Sequence, residues 1–222
     1  MLSSILYKEW LKVRLFWGVA LMLNIGVFVY LFVDLRHLFT IEHAEMIWYQ
    51  AFKIGTLHYA YMKYLLVITG VIIGAAQFTP EMIGHRFRLS LHLPVRPNSM
   101  VLCCVLAGLL GVAVIGMLDV FMLYAIIARF FPHEGAKSAL LTALPWLFSG
   151  LVAYLGTALT AMEPRLSRKF VYLAIAGGFL WLFYQGNDYE TYNRALWKPA
   201  LISLLFIPSV ILPVYRYRNR TS

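Results

Sequence analysis

Long apolar runs alternate with short polar segments along the whole of this chain of 222 residues. A helix needs about 20 predominantly apolar residues to cross the hydrocarbon core of a bilayer. Judged against that length, the pattern predicts six membrane-spanning helices in one all-α, polytopic transmembrane domain that occupies residues 1–222. The predicted spans are about Leu15–Val33, Tyr64–Phe78, Met100–Ile127, Ala139–Met162, Phe170–Tyr184 and Pro199–Tyr215.

Two segments outside the spans also have helical patterns. Residues 1–14 mix apolar side chains with Lys8, Glu9, Lys12 and Arg14, which predicts an interfacial helix that bends into the first span near Phe16–Gly18. In the longest connection, between the first two spans, apolar residues recur at helical spacing after Thr40. We therefore expect a second surface helix near Thr40–Ile54.

The composition agrees with a membrane protein: 61% of the residues are hydrophobic and only 13% are charged. Soluble domains carry about 25% charged residues, and a water-soluble fold of this size has too little interior for so much apolar surface. The two cysteines, Cys103 and Cys104, are adjacent in an apolar run, where we interpret them as small packing residues.

The basic residues indicate an orientation for the predicted spans. With a cytoplasmic N-terminus, the inner segments hold twelve of the nineteen lysines and arginines, and the outer segments hold seven. Because short cytoplasmic segments carry an excess of basic residues, both termini are predicted to be cytoplasmic, as in a multi-pass protein of the cell inner membrane. Anionic headgroups account for the net charge of +9, so no nucleic-acid partner is needed.

Motifs for nucleotide binding or common hydrolytic chemistry are missing from the sequence. It has no Walker-type glycine loop, no HExxH, no CxxC and no GxSxG. We interpret Gly108, Gly111 and Gly116 as helix-packing positions within the third span. No histidine falls mid-span, where a membrane haem site needs paired imidazoles. We expect no catalytic residue, metal or cofactor in the chain itself.

Two polar residues inside the spans are candidates for a translocation path. Asn24 lies in the first span, where a hydrogen bond between helices is the favoured interpretation and a substrate contact is the alternative. Asp119 lies in the third span, and a charged residue within a membrane is by default a candidate site. The alternative for Asp119 is a solvated position near the outer end of its helix.

The segment Thr79–Met100, which reads TPEMIGHRFRLSLHLPVRPNSM, separates the second and third spans. Residues 81–87 predict a short amphipathic helix with an acidic first residue. Leu89, Leu91, Leu93 and Val95 then alternate with polar residues until prolines end the pattern. A short element with an apolar and a charged face can dock in a groove of another protein. The alternative is a loop helix that only anchors the spans at the membrane surface.

This segment resembles the first cytoplasmic loop of the membrane subunits of type-2 ATP-binding-cassette (ABC) transporters. In that family a glutamate and a glycine are followed by an LLSLPVSR-like run, and Glu81, Gly84 and the run from Leu89 to Arg96 correspond to these positions. His92 is additional, and Arg86–Phe87–Arg88 is more basic than the family pattern. The opening YKEWLKVR, similar to the family's interfacial elbow helix, and the basic tail YRYRNR extend the resemblance over the whole chain.

The resemblance implies a permease subunit that forms a translocation path, acts in export, and pairs with a second copy or a related permease. Cytoplasmic ABC ATPase subunits would bind ATP and magnesium and hydrolyse the nucleotide. The implied ATPase-coupling residues are Glu81, Met82, Gly84, Arg86, Arg88, Leu91, Leu93, Pro94 and Arg96. Alternatives are a membrane anchor subunit of a redox complex that binds haem or quinone, and a membrane scaffold without transport.

Overall fold

The computed structural model describes residues 2–83, 97–186 and 197–210, and these residues are folded into helices and short connections. The all-α prediction is confirmed for this part of the chain. In chain order the α-helices are α1 (Leu2–Ile41), α2 (Ala44–Tyr49), α3 (Leu65–Ile83), α4 (Pro97–Phe130), α5 (His133–Met162), α6 (Leu166–Leu182) and α7 (Trp197–Ser209). A π-helix (Gln50–Ile54) and a 3₁₀-helix (Ala60–Tyr64) lie between α2 and α3.

Helix α1 is one uninterrupted helix of 40 residues, so the predicted separate interfacial helix over residues 1–14 is not seen. Its length is about 60 Å, about twice the thickness of the hydrocarbon core. Residues 13, 20, 24, 28, 31 and 35 are buried and recur every three, four or seven positions, which places them on one face of the helix. Because that face continues past the predicted bend near Phe16–Gly18, the packing favours a continuous helix.

Helix α5 forms the centre of the bundle. It packs against α3, α4, α6 and α7, whereas α1 lies on the other side against α3 and α4. Tyr154, Leu155 and Ala158 of α5 are completely buried in the main core, where Ile73 of α3 and Val105 of α4 meet them. α5 is accordingly the most buried of the long apolar helices in the described part of the chain.

In the described ranges, four helical segments are long and apolar enough to cross a membrane: Leu6–Ile41, Ala60–Ile83, Ser99–Phe130 and His133–Met162. They contain the first four predicted spans. α6, with 17 residues, and α7, with 13, are shorter, and the predicted sixth span extends beyond the described residues. The structure is therefore consistent with a membrane protein, and the count of six spans stays a prediction.

The connection after α1 contains a helix in the expected region, but this helix begins later than predicted. Thr40 belongs to the last turn of α1, where its hydroxyl donates to the carbonyl oxygen of Arg36 at 2.8 Å. α2 starts at Ala44, and the helical path continues through the π-helix to Ile54. The sequence is ambiguous here because a threonine before acidic residues is also a typical helix start.

Helices α3 and α5 approach each other backbone to backbone at a pair of glycines. A Cβ atom at Gly70 would overlap the carbonyl oxygen of Gly150 and would lie 3.0 Å from the backbone nitrogen of Tyr154. A Cβ atom at Gly150 would lie 2.9 Å from the carbonyl oxygen of Leu66. Any side chain at either position would therefore push the two helices apart.

We predict that Gly70→Ala lowers the unfolding midpoint in detergent, because overpacking a tight contact costs about 1–3 kcal/mol. The matched control is Gly178→Ala in α6, where a Cβ atom has nothing within 4 Å. That change should leave the midpoint unchanged or raise it slightly, since alanine is the better helix former. Equal midpoints for the two variants would contradict the close packing.

Candidate functional site

Glu81 lies in the last turn of α3 and does not begin a separate helix. The prediction ended the second span at Phe78 and started a new helix at Glu81, whereas α3 continues through Pro80 to Ile83. A proline this close to a helix end removes one backbone hydrogen bond, and the helix tolerates it. Glu81 is only 6% exposed, so its side chain is packed inside the protein and not displayed on its surface.

The carboxylate of Glu81 is held by two lysines from the first turns of α1. Lys12 Nζ lies 2.7 Å from Glu81 Oε1, and Lys8 Nζ lies 3.5 Å from the same oxygen. Lys12 Nζ also contacts Glu9 Oε1 at 2.6 Å. One ammonium group is therefore shared by two buried carboxylates, and two lysines balance two glutamates in formal charge.

Gln77, one turn before Glu81 on α3, extends these contacts to two more helices. Its Nε2 donates to Glu9 Oε2 on α1 at 2.9 Å and to the carbonyl oxygen of Cys104 on α4 at 2.7 Å. Its Oε1 accepts a hydrogen bond from the hydroxyl of Tyr154 on α5 at 2.7 Å. The side chains of Lys8, Glu9, Lys12, Gln77, Glu81 and Tyr154, here called the polar junction, thus join α1, α3, α4 and α5.

A glycine on α4 leaves space for the polar junction. A Cβ atom at Gly108 would overlap the hydroxyl of Tyr154 and Oε1 of Gln77. The packing role predicted for Gly108 is confirmed, and Gly116 has a similar role against Leu147. At Gly111, the third predicted packing position, a Cβ atom would only reach ordinary contact with Trp17.

An apolar groove of about 190 Å³ lies beside the junction, between α1, α3 and α4. Trp10 and Trp17 line one wall and pack edge to face with their ring centroids 5.6 Å apart. Glu9 and Gln77 are the polar residues of its lining, and the polar atoms of both are engaged within the junction. The groove therefore offers an apolar surface with one polar edge.

Asn24 makes the predicted hydrogen bond between helices. Its Nδ2 donates to the hydroxyl of Thr69 on α3 at 2.8 Å and to the carbonyl oxygen of Ala20 at 2.7 Å. Both side chains are about 1% exposed, and Asn24 Oδ1 has no hydrogen-bond partner among the described residues. The interpretation of Asn24 as a helix contact is confirmed, and a role in translocation stays a prediction.

Asp119 is not a solvated residue at the end of its helix in this structure, and its depth in the membrane stays a prediction. α4 continues to Phe130, well beyond Asp119, and the aspartate is 6% exposed. The predicted depth of Asp119 in the membrane is counted from the predicted start of the span at Met100. The helix is longer than a bilayer requires, so that count does not locate the membrane boundary. Asp119 points into the protein, where Phe28, Leu65 and Trp146 line the same small cavity.

Most of the predicted coupling residues lie outside the described part of the chain. These are Gly84, Arg86, Arg88, Leu91, Leu93, Pro94 and Arg96. Met82 is half-buried and packs against the main core. Glu81 and Met82 therefore connect the predicted coupling segment to the folded bundle.

The described residues bring no three histidine, cysteine, aspartate or glutamate side chains together as a metal site. His58 lies in the connection before the 3₁₀-helix, beside Phe131 and Gly135. Burial lowers the pKa of His58 below its ordinary value of 6.5, although Asp34 and Glu42 act in the opposite direction. The imidazole is therefore neutral at pH 7.

The sequence indicated parts of the polar junction but not their assembly. Gln77 is a polar residue in an apolar run, and Glu9 with Lys12 is an i,i+3 pair of opposite charge. Both features can be recognised in the sequence as candidates for buried polar contacts. Tyr154 carried no signal, since tyrosines are common throughout the chain.

No family model matches the chain, and no curated protein or solved structure is significantly similar to it.

We predict that Lys12→Met lowers the free energy of unfolding by about 3–5 kcal/mol, because it leaves two buried carboxylates without their shared cation. Lys8→Met is the matched control, since the Lys8 side chain is 54% exposed and an exposed ion pair contributes at most about 1 kcal/mol. Chemical unfolding in mixed detergent micelles measures both values.

The combined variant Glu9→Gln, Lys12→Met, Glu81→Gln should recover much of the stability lost in Lys12→Met. Replacing a whole buried ion network by neutral groups costs far less than removing one partner. If Lys12→Met were no less stable than Lys8→Met, the shared lysine would not hold the two carboxylates together.

Proposed function

We propose that the chain is the permease subunit of an ABC exporter and forms the translocation path with a second copy or a related permease. Separate cytoplasmic ATPase subunits bind and hydrolyse ATP, and this chain breaks no covalent bond. The resemblance of residues 81–96 to the family's first cytoplasmic loop supports this function. The all-helical bundle with several membrane-capable helices agrees with it.

The attachment of Glu81 is the observation that carries the proposal. The ATPase-coupling segment begins at this residue, which is bound through Lys12 and Lys8 to α1. One turn away, Gln77 reaches α4 and α5. A displacement of the coupling segment by the ATPase is therefore passed to four helices at once, chiefly through the short, buried contacts of Lys12 and Gln77.

In this arrangement both termini and the coupling segment face the cytoplasm, in the inner membrane. The orientation follows from the twelve-to-seven distribution of basic residues. Lys8 and Lys12, which bind Glu81, belong to the basic N-terminal segment, and they lie at the same end of the bundle as the start of the coupling segment. The contact between the two segments supports their placement on one side of the membrane.

The docking role is tested with Leu91→Asp and Leu93→Asp in the tagged, full-length protein. An unpaired charge in an apolar contact should weaken ATPase binding by about 1.4 kcal/mol or more, which is about tenfold. The matched control is Leu166→Asp, at an exposed leucine that begins α6 and lies in the predicted cytoplasmic connection between Met162 and Phe170. The measurement is the amount of ABC ATPase recovered in mild detergent, identified by mass spectrometry and assayed for ATP turnover.

Both coupling-segment variants should lose the ATPase, while Leu166→Asp keeps it and all three proteins remain folded. If the two variants keep the ATPase and its turnover, the segment is only an anchor at the membrane surface. Glu81→Lys does not serve as a docking test, because it would place a lysine beside Lys8 and Lys12 and disrupt the polar junction.

The orientation is tested by single cysteines at Ser4, Ser99 and Ser222, with Cys103 and Cys104 replaced by serine. We expect all three cysteines to resist a membrane-impermeant thiol reagent in intact cells and to react after the membrane is opened. Strong labelling at position 222 from outside would contradict a cytoplasmic C-terminus.

A further inference from the structure

Asp119 lines a small cavity between the helices of the bundle. The cavity has a volume of about 20 Å³, and its lining includes Phe28, Met62, Leu65, Leu66, Leu123 and Trp146. The aspartate is 94% buried, since only 6% of its surface is exposed. Its Oδ2 atom has no hydrogen-bond partner among the described residues.

Among the described residues, the lining of the Asp119 cavity contains no cation. α1 contributes Phe28, the 3₁₀-helix contributes Met62, α3 contributes two leucines, and α5 contributes Ala143 and Trp146. None of these side chains titrates. Lys63, the cation nearest to this lining in sequence, is directed to Tyr184, with its Nζ 3.4 Å from the Tyr184 carbonyl oxygen and 5.3 Å from the ring centre.

The surroundings of Asp119 differ from those of Glu9 and Glu81. Those two carboxylates are equally buried, but each lies within 2.7 Å of the Lys12 ammonium group. A buried carboxylate without a cation or hydrogen-bond donors costs several kcal/mol, and the group avoids this cost by keeping its proton. Of these three buried acids, Glu9 and Glu81 therefore lie against a lysine, whereas the described lining around Asp119 contains no cation.

We propose that Asp119 is a proton-binding site inside the bundle. Its carboxyl group keeps a proton while α1, α3, α4 and α5 are packed as in this structure. A movement that brings water or a cation to Asp119 releases the proton. The inference does not rest on the proposed function, since it follows from burial and charge alone.

The proton is the ligand that the cavity favours over a metal cation. Hard cations need several oxygen ligands around them, and the described lining provides the oxygens of one carboxyl group. A space of about 20 Å³ holds about one water molecule, so a hydrated ion or an organic cation does not fit without separation of the helices.

A membrane-soluble carbodiimide tests this inference because it reacts with protonated carboxyl groups. The acid O–H adds across one C=N bond of the carbodiimide, with the proton on nitrogen and the carboxyl oxygen on carbon. The acyl group of this O-acylisourea then migrates from oxygen to the neighbouring nitrogen and leaves a stable N-acylurea. No other reactant is consumed, and the product adds the mass of one carbodiimide to the residue.

The experiment treats the full-length protein in phospholipid nanodiscs with dicyclohexylcarbodiimide and quantifies each acidic peptide by mass spectrometry. We expect at least about tenfold more label on Asp119 than on Glu9 or Glu81. A tenfold difference in the protonated fraction of a carboxyl group corresponds to about one pH unit. Labelling of Asp119 should fall as the pH is raised. Sodium or potassium chloride should not protect it.

A second measurement, the unfolding midpoint, does not require the carbodiimide to enter the cavity. The unfolding midpoint of the native protein should fall, relative to that of Asp119→Asn, as the pH rises and the bound proton is lost. Glu9, Lys12 and Glu81 are present in both proteins, so their own pH dependence cancels in this comparison. The asparagine variant should remain folded, since it resembles the neutral acid in shape.

Selective labelling of Asp119, or a pH-dependent difference in stability between the two proteins, supports the site. The inference is overturned if Asp119 is unlabelled and the two proteins respond identically to pH. It is also overturned if Glu9 and Glu81 label as strongly as Asp119. Protection by sodium or potassium would show a metal-cation site in its place.

Discussion

One carboxamide group determines how the long helices are joined at the end of the bundle where α3 ends. Gln77 bonds to Glu9 of α1, to the Cys104 carbonyl of α4 and to Tyr154 of α5, and it is itself 1% exposed. Leaving any of these groups buried and unpaired costs about 1–3 kcal/mol, and more for the charged one. The positions of four helices are therefore mutually constrained at one point.

The buried carboxylates of the polar junction are stabilised differently from the carboxyl group of Asp119. At the polar junction, two carboxylates are compensated by lysines and fixed by hydrogen bonds, which makes the site rigid and costly to disrupt. Around Asp119, apolar side chains surround an acid that can lose its charge by binding a proton. In the proposed permease, the polar junction would transmit displacement from the ATPase, and the proton on Asp119 would respond to it.

The fold class and the long helices could be predicted from the sequence, since apolar runs of this length have few alternatives. The contacts of Glu81 could not, because Lys12 is 69 residues away and only tertiary packing brings the pair together. The amphipathic pattern and its acidic first residue suggested a new helix at Glu81, whereas α3 passes through Pro80 and buries the glutamate. The predicted bend between an interfacial helix and the first span is not seen, because the buried face of α1 continues through Phe16–Gly18.

The central claim, that the polar junction joins four helices into one unit, is tested most directly by hydrogen–deuterium exchange on Gln77→Leu in nanodiscs. Leucine fills a similar volume but forms none of the three hydrogen bonds. The account predicts that amide exchange rises together in the first turns of α1, the last turns of α3, α4 around Cys104 and α5 around Tyr154. An increase confined to α3 near position 77, with the other three helices unchanged, would contradict it.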